Sequence, residues 1–537
     1  MKLSSRRLLS LLLAALMVTA LLAACSGDSA NTPPPAANTP GPGTTPRPTP
    51  TPGVPTATPI PPAPADYVIT ILTISHDGDI IQPNHPNFET LKSITGYNIE
   101  LEYVLNASFA EQMNARLAAR NLPGVVVFTG LTGPVVQAIQ GGAFWDITDL
   151  YEDYTYLAMA DRGIMNAISV GGRYYGIYRA RRYPRSGMQY RSDWLQNLNM
   201  KEPTNLNELY DVLYAFTHND PTGTGAETYG MTWCQYMGPF YNLAVMHGAP
   251  NRFGVRDGKL TPWFEYNEFI EAMDYSKRLY DNGLINRDFA ALPSGQWINP
   301  FNTGIAGFHI DVVDQANRSA TALRDNGLIT QAQVDDGSIV WPMGAVANKN
   351  GEVRLWPQNI GAAGFVAIST VGARTELDLH YHLDFLDLCN SEDGQNALNF
   401  GTEGITYEKR ADGTVRGYTT EEVLPQYNVR TGWNQFMMNT VDMLWPPQRN
   451  PRQQRDVELD IEMLPYTITD PTVPLATSAT AWSERQATLN TIVDDAVINY
   501  IMGNINLDGF RAEMRRWYAE GGTEALAQLQ TAFDASN

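Results

Sequence analysis

The sequence predicts an α/β fold divided between more than one lobe, and three observations carry that expectation. Between Tyr67 and Phe128 the pattern runs strand, helix, strand, helix, strand, the rhythm of a layered fold with a parallel sheet. With a Pro/Thr-rich N-terminal tract set aside from the 537-residue chain, Asp66 to Asn537 remains to fold. That length calls for roughly two to four domains rather than one core. The last third turns mainly helical.

Taken in order, Tyr67 to Ser75 (YVITILTIS) alternates and is rich in β-branched residues, which reads as a first strand. Asn87 to Thr95 reads as a helix ending at Gly96, Asn98 to Val104 as a second strand, and Ser108 to Arg120 as a second helix. Val125 to Phe128 follows as a buried strand. The middle third continues the mixture, with a helix over Asn205 to Phe216 and a Gly/Thr loop from Asp220 to Ala226. A longer helix spans Asn267 to Asp281 and stops at Gly283. From Ser483 to Met502, Ala487, Ile492, Val493, Ala496, Val497 and Tyr500 fall near helical spacing, with Ser483 placed to cap. No internal repeat of roughly 20 to 50 residues is visible, which excludes a solenoid or propeller.

Fourteen of the 35 prolines and eight threonines lie between Ser26 and Ala65. Such a segment has no large apolar surface to bury and favours extended polyproline II, so it reads as a disordered, semi-rigid linker of up to about 120 Å. Ahead of it, Lys2, Arg6 and Arg7 precede an apolar run from Leu8 to Ala23 and small residues before Cys25, the layout of a secretory signal peptide. The run is shorter than the roughly 20 residues a membrane-spanning helix needs. Leu22-Ala23-Ala24-Cys25 also resembles the bacterial lipobox, which implies a lipid on Cys25, a signal peptide over residues 1–24 and a tethered linker over 25–65.

Formal net charge is −20 and becomes more negative by three when the segment holding Lys2, Arg6 and Arg7 is removed. A chain this acidic repels phosphate backbones, so nucleic acid is excluded as a partner. With charged residues at 18% and aromatics at 10%, a large core is affordable and disorder beyond the linker is not indicated. Cys234 and Cys389 either pair or remain two buried thiols. The absence of CxxC, HExxH and any spaced His/Cys cluster argues against a zinc site.

Several phrases, in order along nearly all of residues 66–530, resemble the extracellular solute-binding proteins that serve ABC importers of sugars, particularly the large lipoprotein branch for oligosaccharides. Gly171 to Ala180 (GGRYYGIYRA) looks like the family's "dGkiYGiP", and Tyr190 to Leu195 (YRSDWL) like its "iRkDWL". Pro203 to Gly230 (PTNLNELYDVLYAFTHNDPTGTGAETYG) matches "PTTxdEfydvLkAFkekDPdGnGkkdeyG". GAPNRFGVRDGKL, LYDNGLINRDF, SEDGQNALNFGTEGITYE and INYIMGNINLDGF follow the family's wording too. The resemblance implies a two-lobed type II periplasmic-binding-protein fold with a hinge and a helical C-terminal region. It places one lobe at 66–180 plus 365–428 and the other at 181–364 plus 429–537. Crossings are expected near Tyr178 to Ser186, Gln358 to Gly364 and Gln426 to Gly432, where Gly and Pro flank strand-like runs.

A sugar offers hydroxyls to planar polar groups and C–H faces to rings, so its cleft needs Trp or Tyr beside Asp, Asn, Glu or Arg. Trp233 and Tyr236 follow a predicted strand, where α/β proteins present ligand contacts, although the same rings could be core. The resemblance adds Trp482, where related sugar binders carry a stacking Trp, together with Trp433 and Trp356 near the crossings. Asp311 and Asp314 follow the GIAGFHI strand, where the family places a ligand loop. Arg179 and Arg181 either grip acidic ligand groups or pair with carboxylates across the hinge. Glu403 serves a ligand or fixes a turn. The Asp220 to Glu227 loop is similar to a calcium loop of some relatives, but Thr222 and Thr224 replace the acid and the amide, so a Gly-supported turn without metal is expected.

The resemblance implies a non-catalytic, monomeric binding protein on the outer face of the membrane, handing a carbohydrate to ABC permease subunits without a cofactor. A secreted polysaccharide-degrading enzyme would need paired carboxylates about 5 to 10 Å apart across an aromatic cleft, and a sequence with 57 acids leaves that alternative open. A ligand sensor for a membrane kinase would share the binding fold.

Overall fold

The computed structural model describes residues 60–75, 84–357, 359–418, 435, 437–438, 443–476 and 478–536. Cys25, Trp433, Gln358 and the expected crossing at 426–432 lie outside the described residues. Numbered along the chain, the strands are β1 (Val68–Ser75), β2 (Asn98–Leu105), β3 (Val125–Phe128), β4 (Ile177–Ala180), β5 (Ser186–Arg191), β6 (Tyr229–Thr232), β7 (Phe253–Arg256), β8 (Lys259–Pro262), β9 (Ala306–Val312), β10 (Val340–Met343), β11 (Ala362–Ile368), β12 (Tyr407–Lys409) and β13 (Val415–Gly417).

The first sheet has the order β2-β1-β3-β11-β4. β1 runs parallel to β2, with Val68 opposite Asn98, and parallel to β3, with Ile71 opposite Val125. Helix Asn87–Thr95 makes the first crossover and stops where Gly96 takes φ of 79° and donates its N–H to the Lys92 carbonyl. The sheet is mixed rather than wholly parallel, because β11 arrives late in the chain and inserts antiparallel between β3 and β4. β3 (VVVF) is buried along its whole length, which explains its unbroken apolar run.

The second sheet has the order β10-β5-β9-β6, with β9 antiparallel to β5 and parallel to β6. The chain passes from the first sheet to the second between β4 and β5, through Arg181 to Arg185, and returns between β10 and β11. Each sheet carries its own core. One gathers Ile69, Leu72, Val126, Phe128, Phe365 and Leu383, and the other Trp194, Phe216, Trp233, Phe269, Phe308 and Val497. Two expected boundaries shift accordingly. All of β11 from Ala362 belongs to the first sheet, and Met437 and Met438 sit in the first core with Leu444 packed against it, so the switch expected after residue 428 comes later.

The C-terminal helices cover the second core. Helix Thr480–Ile501 starts earlier than the expected cap at Ser483, because Ala481 and Trp482 are already drawn into that core. Ser483 instead sits in the first turn, its hydroxyl donating to the Thr480 carbonyl at 3.0 Å. Cys234 and Cys389 are both buried free thiols, so the unpaired alternative holds.

Candidate functional site

A pocket of about 590 Å³ has one wall from each core. The first wall grows from the carboxyl end of β3, where Leu131 and Thr132 lead into helix Gly133–Gln140. Pro134 occupies the first turn of that helix, where its missing N–H costs nothing, and Val135 and Ile139 press the helix onto the first core. The opposite wall is the turn Asp470 to Val473 and the start of helix Thr480–Ile501, with Trp482, Glu484 and Gln486 on the pocket.

Asp470 shapes its own turn. Its Oδ1 accepts from the Thr472 N–H at 2.8 Å and from the Thr472 hydroxyl at 2.7 Å. Burial pushes its carboxyl above the ordinary range, against the pull of Thr472 and of Arg252. Among the described residues, the side chains of Thr132, Gln137, Glu484 and Gln486 make no hydrogen bond or ion pair. The pocket therefore presents donors and acceptors that the fold does not use.

Trp482 separates this pocket from a smaller hollow lined by Tyr241, Arg252, Trp263 and Asp494. It is 3% exposed and packs edge-on against Phe253 with centroids 5.2 Å apart. Its indole N–H makes no hydrogen bond among the described residues. Buried to this extent, Trp482 does not present the open face a stacked sugar would need.

The other candidates are scattered. Trp233 is 0% exposed, set edge-on against Phe289, and so presents no surface to a ligand in this conformation. Tyr236 is 37% exposed and touches Trp297 and Tyr241 edge-on. Trp356 is buried against Tyr241. Asp311, at the end of β9, is half-buried and outside the pocket lining. Glu403 is exposed in the turn before β12, bridged to Tyr407 through the backbone.

The arginines and Asp314 hold the hinge. Arg179 is 1% exposed and donates to the carbonyls of Phe128 (3.1 Å) and Ala363 (2.7 Å) and to Gln435 Oε1, tying together the ends of β3, β11 and β4. Burial pushes its guanidinium down to about 9, with Arg181 adding to the effect. Arg181 donates to the Ala180 carbonyl and to Gln435 and is pushed down to about 10 by burial, then by Arg185. Asp314 is clasped by Arg185 at 2.7 and 2.9 Å and by Arg318 at 2.7 Å, which occupies both carboxylate oxygens and holds its carboxyl well below the usual range despite burial.

A larger hollow of about 720 Å³ lies wholly on the second lobe. There Lys349 pairs with Glu271 at 2.5 Å, Asp274 accepts from the Tyr500 hydroxyl at 2.5 Å, and Arg278 lies over the Tyr210 ring at 4.2 Å. At the Asp220 loop, Oδ1 accepts from Thr222 Oγ1 and Thr224 N and Oδ2 from Gly225 N. The Asp220 carboxylate is thus engaged by its own loop. Among the described residues, no group of three or more His, Cys, Asp or Glu is arranged to hold a metal ion.

Sequence reasoning missed Thr132, Gln137, Asp470, Glu484 and Gln486. Two signals pointed to them: a buried strand running straight into Thr-Gly-Pro, where α/β sheets bind ligands, and the turn-forming Asp-Pro-Thr.

Comparison with known proteins completes the site's setting. The family model described as bacterial extracellular solute-binding protein matches residues 88–402. Lipoprotein LipO of Bacillus subtilis is 31% identical over 459 residues, covering 84% of this chain and 89% of that protein. The polygalacturonan/rhamnogalacturonan-binding protein YtcQ of the same organism is 29% identical over 463 residues, covering 84% and 88%. Among solved structures, alginate-binding protein AlgQ2 without calcium ion aligns with a TM-score of 0.65 at 19% identity, over 88% of this chain and 99% of that one. The substrate-binding protein FusA of S. pneumoniae in complex with kestose aligns with a TM-score of 0.64 at 15% identity, over 88% and 99%. These likenesses give the chain the two-lobed fold of solute-binding proteins.

Proposed function

Because the chain belongs to the bacterial extracellular solute-binding protein family, we propose that it captures an oligosaccharide between its two lobes and hands it, unaltered, to the permease of an ABC importer. The observation that carries this reading is the pocket walled by both cores, whose Thr132, Gln137, Glu484 and Gln486 side chains are uncommitted. A ligand held there touches both lobes at once, so its binding energy favours the state in which the lobes are closed. Closure is the signal a permease can read. The relatives support a carbohydrate, since one is a polygalacturonan/rhamnogalacturonan-binding protein and the aligned structures include an alginate-binding protein and a complex with kestose.

The chain works outside the cytoplasm in this reading, tethered by a lipid on Cys25 and spaced from the membrane by the Pro/Thr linker. Its role needs neither catalysis nor a cofactor. The test is a thermal-shift screen of the purified full chain against plant and bacterial oligosaccharides, followed by chromatography of the recovered ligand. One saturable ligand at about 100 times its Kd adds about 2.7 kcal/mol to stability and returns unchanged. Release of shorter products would reassign the protein to the degrading enzymes.

A further inference from the structure

Among the described residues, the pocket between the lobes is lined by two acidic side chains, Asp470 and Glu484, and by no Lys, Arg or His. Given the proposed capture of an oligosaccharide at this site, on which the inference rests, we propose that the ligand is uncharged and that Glu484 disfavours uronate chains.

The described cations nearby lie outside that lining, and one of them, Arg252, acts on Asp470. Arg485 follows Glu484 directly, but its Nη1 donates to the Glu520 carbonyl at 3.1 Å, and its side chain packs against Gly521. Arg252 lies behind Trp482 in the smaller hollow, 5.7 Å from the centre of the Tyr241 ring. Arg162 pairs with Glu152 at 2.5 Å. At the hinge, Arg182 binds Asp456 and Asp460, Arg185 binds Asp314, and Arg179 and Arg181 share Gln435.

A site for uronates needs the opposite arrangement. A sugar carboxylate entering a cleft loses water, and that loss is repaid by a guanidinium fork or an ammonium. Here it would meet the exposed Glu484 and no cation among the described lining residues, in a chain whose formal net charge is −20. What the pocket offers is two amides, a threonine hydroxyl and carboxyl oxygens, which suit the hydroxyls of a neutral sugar. This sets the chain apart from a binder of polygalacturonan.

Calorimetry on the purified full chain tests the inference with three kinds of probe: neutral arabino-, galacto-, xylo-, manno- and fructo-oligosaccharides, tetragalacturonate, and its methyl ester. The expected result is saturable binding of a neutral probe, with tetragalacturonate at least about tenfold weaker, since like charges in contact disfavour binding. Glu484→Gln should narrow that gap by about tenfold. Glu484 is exposed, so its variant keeps the fold. Tetragalacturonate binding as tightly as the best neutral probe, or more tightly than its methyl ester, overturns the inference while leaving sugar capture intact. Failure of every probe, charged and neutral, overturns the capture reading itself and the inference with it.

Discussion

Trp482→Ala separates the two roles the structure gives this side chain. At 3% exposure the ring buries about 200 Å², worth about 5 kcal/mol at 25 cal/mol per Å². Measured Trp→Ala changes in cores cost about 3–5 kcal/mol, and the Phe253 contact at 5.2 Å places this site within that range. For a lobe of about 150–250 residues, each kcal/mol lowers Tm by about 2–4 °C, so a fall of about 6–20 °C is expected without ligand. Trp482→Phe keeps most of the packing but removes the indole N–H, which has no partner among the described residues. It should leave Tm nearly intact and weaken the oligosaccharide by about tenfold, the cost of one lost hydrogen bond to the ligand. Differential scanning calorimetry and titration calorimetry on both variants read the two effects separately. If Trp482→Ala melts within about 2 °C of the parent, the wall is not packed as described. If neither variant changes affinity, the ligand does not lie in this pocket.

Three further changes probe the frame that holds the pocket. Burial pushes the Asp387 carboxyl up to about 6, although it accepts the N–H groups of Tyr156 and Leu157 at 2.6 and 2.8 Å. A folded value above the unfolded one means the native state binds more protons, so this group's contribution falls as pH rises from about 4 to about 6, by about 3 kcal/mol. Asp387→Asn keeps an acceptor and should flatten that slope and raise stability at pH 7 in urea titrations; a loss of stability there refutes the argument. Arg182→Met leaves Asp456 and Asp460 facing each other, and should cost about 3–5 kcal/mol at pH 7, with partial recovery towards pH 5 as Asp460, pushed up to about 6 by burial, takes a proton. Equal loss at both pH values would count against it. Gly364 sits at φ 94°, and an added Cβ would lie 2.0 Å from the Phe128 carbonyl oxygen, so Gly364→Ala should lower Tm by many degrees; a shift within 2 °C would show that β11 does not approach β3 so closely.

The elements legible in the sequence were those that local chemistry determines. The β-branched alternation of β1 and the glycine stop at Gly96 each act within a few residues. The antiparallel insertion of β11 was not legible, because its register against β3 is set across more than 200 residues. The burial of Trp482 against Phe253 depends on two distant segments, which the sequence does not show to meet. The side chains across from it were missed for the same reason. Gln137 and Gln486 carry no motif, and only the fold shows them to share a pocket without partners of their own.

The hinge arginines show why proximity to a cleft in sequence is poor evidence for ligand contact. Four guanidiniums, on Arg179, Arg181, Arg182 and Arg185, fall within seven residues of an otherwise acidic chain. A connection between two packed sheets is partly buried by necessity, and a buried cation is costly unless its donors are satisfied. Carbonyl oxygens at the ends of β3 and β11 take Arg179, while carboxylates from the second lobe take Arg182 and Arg185. Those contacts tie the donors of Arg179, Arg182 and Arg185 to the crossing, and none of the four arginines lines the pocket. The sequence feature that suggested recognition of acidic ligands therefore serves the connection between the two sheets.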